Sequence, residues 1–364
     1  MNRALGVQPV KPTHLYRLQR VRHLLPWLQL VALLVAAVWG LGSGSVEIGW
    51  RQQLEQLLPW SVDGDASQVA TILLQVRLPR ICLALLIGAA LGVTGAAMQG
   101  LFRNPLADPS LLGVSAGASL GAGIAIVLTH HLLLPQGFAT ALQIVLAFLL
   151  ALATVAMIYA IAKNSDDGGG RSVVTMLLAG IAITALVGAA TSLLKYLADE
   201  TRLRQISLWQ MGSLEGRGWD AVLFALVICG LGVWLLCRQW RAFNAVLLGE
   251  EEAALLGVDV ARLKLLVVGL VAMTMAAAVA VTGVIGFIGL LAPHCVRLLV
   301  GPNHRFLLPN SALAGALMLL LADILARQLM PPLVIPVGVI TALVGAPLFL
   351  WLLVTARGGY RWQI

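Results

Sequence analysis

The chain has 364 residues, of which 60% are hydrophobic and only 11% charged, with a formal net charge of +8. A soluble domain carries roughly a quarter charged residues, and one aqueous core could not hide this much apolar surface, so the solvent for most of this chain is a bilayer. The positive charge is not a nucleic-acid signal: no basic block is interleaved with aromatics, and most arginines stand at the ends of apolar runs.

Residues 1–23 read as a basic N-terminal segment, and the first apolar run covers 24–42. That run is too long for a signal-peptide core and lacks a small-residue cleavage site, so it reads as a span. Nine more runs follow, at 78–101, 109–129, 139–162, 172–196, 219–238, 262–283, 285–300, 308–327 and 336–356. A span needs about 20 apolar residues. The chain is therefore expected to be all-α, with ten transmembrane helices over 24–356 and a short tail at 357–364. The seventh and eighth runs are divided only by the Gly283–Gly286 turn. The stretch 201–213 is too short to cross and reads as a re-entrant or interfacial helix.

Ten spans put both termini on one side. Two-thirds of the 24 Lys and Arg residues fall on that side, and the positive-inside rule makes it the cytoplasm. Gly88 and Gly92, and again Gly117 and Gly121, have the spacing that lets helix backbones approach closely in lipid, and Gly283, Gly286 and Gly289 repeat every three. Cys82, Cys229, Cys237 and Cys295 lie in or beside apolar runs without a CxxC pair and read as membrane-core residues.

The chemistry starts from an absence. A Walker A loop needs Gly-Lys-Ser/Thr to hold phosphates, and none of Lys11, Lys163, Lys195 and Lys264 follows a glycine. The chain has no ATPase site of its own. Carboxylates also avoid the span centres, which disfavours an ion-coupled secondary transporter. Asp323 lies deepest, and Arg327 four residues on suggests a salt bridge along one helix face. Asp108-Pro109 reads as a helix start, with the carboxylate as cap. In the loop 239–261, Glu250, Glu251 and Glu252 precede an apolar run ending at Gly257. This predicts a short amphipathic helix over 244–258, whose apolar face lacks a burial site and therefore suits a cytoplasmic partner. On the opposite side, Arg77, Arg80 and Arg327 run against the charge bias, which fits either headgroup snorkelling or an acidic docking partner.

Arg77-Leu-Pro-Arg80, the segment Gln99–Gly113, Gly283-Val-Ile-Gly-Phe-Ile-Gly-Leu-Leu-Ala-Pro-His294 and Ala322-Asp-Ile-Leu-Ala-Arg327 together resemble the FecCD permeases of ABC importers. These carry ferric siderophores, haem and cobalamin. The resemblance covers about 25–356. It implies a homodimer with the pathway on its two-fold axis, in a bacterial inner membrane, and no permanently bound cofactor. It implies two ATP-binding subunits, which use the ATP, docked on 244–258 through Leu248, Gly249, Glu250, Glu251, Ala254, Leu255, Leu256 and Gly257. It implies a periplasmic binding protein docked on Arg77, Arg80 and Arg327. The family's inner gate maps to Val173 and Val174. The stretch 202–213 looks most like the haem permeases, so haem is the expected cargo and Arg204 an expected contact for its propionates, since arginine matches carboxylate in a bidentate way. A ferric siderophore or cobalamin is the alternative cargo.

Overall fold

A computed structural model describes residues 12–44, 66–131, 135–164 and 173–356. The residues beyond these, which include much of the expected N-terminal segment and the tail, lie outside the description. The main elements are α1 (Pro12–Gly42), α2 (Leu78–Leu101), α3 (Val114–His131), α4 (Gln136–Asn164), α5 (Val173–Leu197), α6 (Glu200–Gln210), α7 (Trp219–Arg238), α8 (Trp240–Val246), α9 (Glu250–Leu255), α10 (Val260–Thr282), α11 (Ile288–Val300), α12 (His304–Gln328) and α13 (Val337–Ala356).

Among the described residues, seven helices are long and apolar enough to cross a membrane, and three more apolar helices are shorter. All ten fall on the ten expected runs. Two of the short ones, α3 and α11, have local causes. The third run does not become helical at Pro109. Asp108 caps a single 3-10 turn, Pro109–Leu112, by accepting from the Ser110 amide at 2.7 Å, and Gly113 at φ +74° ends it, so α3 begins only at Val114. The eighth run is delayed to Ile288 by Gly283 (φ +73°) and Phe287 (φ +67°). Other helices overrun expectation. α1 continues back to Pro12, past the anticipated boundary at 23, and α2 is preceded by helix Ala66–Thr71 and a π-helical turn, Ile72–Arg77.

The glycine pairs have specific partners. A Cβ at Gly88 would strike the carbonyl of Gly315 and lie 2.7 Å from Cα of Ala316; one at Gly92 would strike the Ser311 carbonyl. Helix α12 therefore lies directly along α2. In the same way Gly117 and Gly121 seat α3 on α4, with Cα of Ala151 and Ala147 at 2.9 and 2.8 Å from the added Cβ positions. Lipid offers no hydrophobic force between helices, so such backbone approach and dispersion supply the cohesion. Helices α2, α10 and α12 are mostly buried and form the centre, whereas α1 and α5 turn most of their apolar residues outward.

Candidate functional site

The first site lies where the start of α2 meets the end of α12. Asp323, fully buried, accepts from Arg80 through Nε at 2.8 Å, with Arg80 Nη2 also at 2.8 Å, and forms an ion pair with Arg327 Nη2 at 3.2 Å without a hydrogen bond. The Asp323–Arg327 pair is the one its spacing suggests; Arg80 joins it across 243 positions of sequence. Arg327 Nη1 also donates to the carbonyls of Gly40 (3.1 Å) and Ser43 (2.9 Å), and Arg77 donates to that of Leu41. These carbonyls belong to the end of α1, where helical acceptors lack internal partners and attract cations. The three arginines are 5%, 8% and 7% exposed. They are thus internal struts joining three helices and do not form a bare rim.

Beside them opens a cavity of about 500 Å³, lined by Arg77, Arg80, Arg327, Arg217, Glu215 and the Pro331-Pro332 loop among others. Four guanidiniums face one lining glutamate, so its mouth is basic. Arg217 is the member that sequence reasoning passed over. Burial holds its guanidinium below the usual arginine range, with Asp220 opposing that shift, and its Nε lacks a hydrogen-bond partner.

The second site lies at the other end of α12. The loop 239–261 folds as two short helices, α8 and α9, and not as one helix over 244–258. Gly249, at φ +143°, breaks the run, and a Cβ there would meet the Glu252 carboxylate. Glu250 is held by Lys264 at 2.6 Å, Ala253 is buried, and Glu251 and Ala254 are exposed. Gly257 (φ +83°) closes the turn by donating to the Ala254 carbonyl, as its position suggested. Three large side chains then stand bare: Leu248 is 67% exposed, Leu255 89% and Leu256 64%.

Helix α8 is latched to the first turn of α12. Asn244 donates through Nδ2 to Asn303 Oδ1 at 2.9 Å, its own Oδ1 accepts from the His304 amide at 2.9 Å, and Phe243 stacks on the His304 ring. These residues carry no motif, and only their contacts reveal them. At 1.5 Å per residue, α12 then bridges roughly 35 Å between the two sites.

Two further expectations have definite places. Arg204 is exposed on α6, which Asp199 caps by accepting from the Arg202 amide. Val173 and Val174 open α5, and their side chains lie outside the described residues. Among the described residues, no group of His, Cys, Asp and Glu could hold a metal ion.

A bundle of ten apolar helices, with a basic cavity at one end and exposed leucines in and beside α9 at the other, defines a polytopic transport subunit. The chain belongs to the FecCD transport family, whose model matches residues 32–355; it is a transmembrane permease of the ABC importers. It is 44% identical over 332 residues to the hemin transport system permease protein of Yersinia pestis, covering 90% of this chain and 94% of that one. It is 45% identical over 281 residues to the cobalamin import system permease protein of Halobacterium salinarum, covering 76% and 72%. Its fold matches a chain of a proposed metal-chelate type ABC transporter in an inward-facing conformation, with TM-score 0.77, 36% identity and coverage of 90% and 98%.

Proposed function

We propose that two copies of this chain form the pathway by which haem crosses the inner membrane, driven by two ATP-binding subunits and supplied by a periplasmic binding protein. The observation that carries the cargo is the 44% identity to a hemin permease over nearly the full length of both chains. The archaeal cobalamin permease, at similar identity over a shorter stretch, keeps cobalamin as the second reading.

In this reading both termini and α9 are cytoplasmic, and the arginine cavity faces the periplasm. Leu248, Leu255 and Leu256, with Gly249, Glu250, Glu251, Ala254 and Gly257 shaping their helix, insert into a groove of the ATPase. ATP binding and hydrolysis move α9, the Asn244 latch carries that motion into α12, and the bundle rocks to change the side to which its cavity opens. The energy-yielding step belongs to the partner chains. At the far end a carrier carboxylate enters the cavity of Arg77, Arg80, Arg217 and Arg327. Val173 and Val174 act as the inner gate, and Arg204 meets a propionate on entry.

Proteoliposomes holding the chain, its ATPase and its binding protein test this reading. ATP-dependent accumulation of hemin is expected. Uptake by the chain alone under a proton gradient, or uptake of cobalamin in preference to hemin, overturns it.

A further inference from the structure

A second cavity, of about 240 Å³, lies between α3, α5 and the end of α6, closed on one side by Val284. Ser115, Ser119, Thr191, Ser192, Lys195 and Gln210 supply its polar wall. Gly338, at the start of α13, lies against the carbonyls of Met211 and Val284 beside this cavity, and Val334 and Leu214 nearby in the chain line the arginine cavity, so this cavity lies toward the arginine end of the bundle. It is separate from the arginine cavity, with which it shares no lining residue.

Lys195 is the chemical anomaly there. It is a cation near the end of an apolar span, and an ionisable group in such a place needs a reason. Snorkelling would carry its ammonium outward to the headgroups. Here the ammonium instead turns back onto the side-chain oxygen of Gln210. No carboxylate pairs with it among the described residues, and Asp199, one turn along, is taken by Arg202 at 3.3 Å. Three of the nearby hydroxyls do not compete as donors. Ser119, Thr191 and Ser192 each donate to a carbonyl one turn back in their own helix, at 2.8, 2.9 and 3.0 Å. Their oxygens are left only to accept. The donors in the wall that these bonds leave over are the two remaining ammonium hydrogens, the Gln210 amide nitrogen and the Ser115 hydroxyl. A charged donor beside neutral ones in one cavity wall suits the two oxygens of a carboxylate.

We propose that Lys195 and Gln210 form a way-station for a carboxylate of the cargo as it enters the pathway. This rests on the haem reading above and adds where a propionate is received. Gln210 is a neutral neighbour, so the ammonium is held by one bond that a carboxylate outcompetes, and no fixed acid repels the arriving carboxylate. With a single cation and a few neutral groups the site holds a carboxylate by few bonds, which suits the brief occupancy that a transport path requires.

The test is a hemin titration, read by the Soret band, of the complete complex in nanodiscs, alongside ATP-driven hemin uptake in vesicles. Lys195→Gln is expected to weaken hemin binding about tenfold, the loss of one charge-assisted hydrogen bond. Lys195→Arg should restore most of it, and hemin dimethyl ester should bind equally to wild type and Lys195→Gln. Hemin binding unchanged in Lys195→Gln, or an equal loss with the ester, overturns the way-station and leaves the haem reading standing. Binding that is sensitive to Lys195→Gln without any ATP-driven uptake overturns the haem reading alone. Absence of hemin binding to wild type overturns both.

Discussion

The two ends of α12 solve opposite problems. At the Arg327 end, charge that would be costly in a membrane is consumed internally: one buried carboxylate and three carbonyls of α1 take up three arginines. At the His304 end, Leu248, Leu255 and Leu256 in and beside α9 stand largely uncovered among the described residues. A buried charge with partners reports on this chain's own architecture. A bare leucine outside the apolar bundle reports on another molecule, because water penalises its exposure by about 1.5–3 kcal/mol. The arginine end is thus built mainly for rigidity, and the α9 end for contact.

Removing the buried acid should break this contrast most severely. Asp323→Ala leaves Arg80 and Arg327 uncompensated in the core and is expected to cost about 3–5 kcal/mol. Thermal unfolding in detergent measures it. A joint change to apolar residues, Arg80→Met with Asp323→Leu, should recover part of that loss, since the pair itself adds little over good packing. A melting temperature unchanged by Asp323→Ala would mean that the arginines are not held by this carboxylate.

Next in size is the α2–α12 seam that sets the distance between helices. Gly92→Ala drives a methyl into the Ser311 carbonyl and should cost about 1–3 kcal/mol. Gly269→Ala, in α10 where a Cβ meets nothing within 4 Å, should be neutral or stabilise by up to about 1 kcal/mol. Equal effects at the two glycines would remove close approach as the reason for the first.

The α9 end should behave in the reverse manner. Leu255→Ser with Leu256→Ser is expected to shift stability by no more than about 0.5 kcal/mol, as exposed positions do. Uptake coupled to ATP should nevertheless fall about tenfold or more, as when a central apolar anchor leaves an interface. Pull-down of the ATPase and a melting curve on the same preparation check both halves. Normal ATPase capture would remove α9 from the docking role.

What the sequence disclosed follows the range of each interaction. The positions of the apolar helices were readable because apolar length is a local property, and the Asp323–Arg327 pair because four residues make one helical turn. The Gly88/Gly92 and Gly117/Gly121 spacings announced close packing but could not name α12 or α4 as the surfaces approached. Arg80 was read as an outer charge because nothing local links it to Asp323, and the burial of all three arginines depends on the end of α1 arriving beside them. Asn244 and His304 were invisible, since a latch between a short helix and the first turn of another leaves no periodicity. Gly249 was visible as a residue but not as the break between α8 and α9, because only its positive φ makes it one. Lys195 entered only as one of the lysines that form no Walker A loop, although a lone lysine at the edge of a span is itself a signal.

The smallest expected change sharpens the contrast within the arginine end itself. Arg77, Arg80 and Arg327 serve the fold first, so changing any of them confuses docking with stability. Arg217 differs. It lines the same cavity, its Nε lacks a hydrogen bond, and it sits in the loop before α7, not in the seam of α1, α2 and α12. Arg217→Ala should therefore leave the melting temperature nearly unchanged. If a carboxylate of the binding protein enters this cavity, the same change should slow association, and added salt should slow wild type more than the variant, because one screened attraction is gone. Stopped-flow association of the binding protein at low and physiological ionic strength reads this directly. Identical rates and identical salt dependence would confine the cavity to architecture, and the whole arginine end with it.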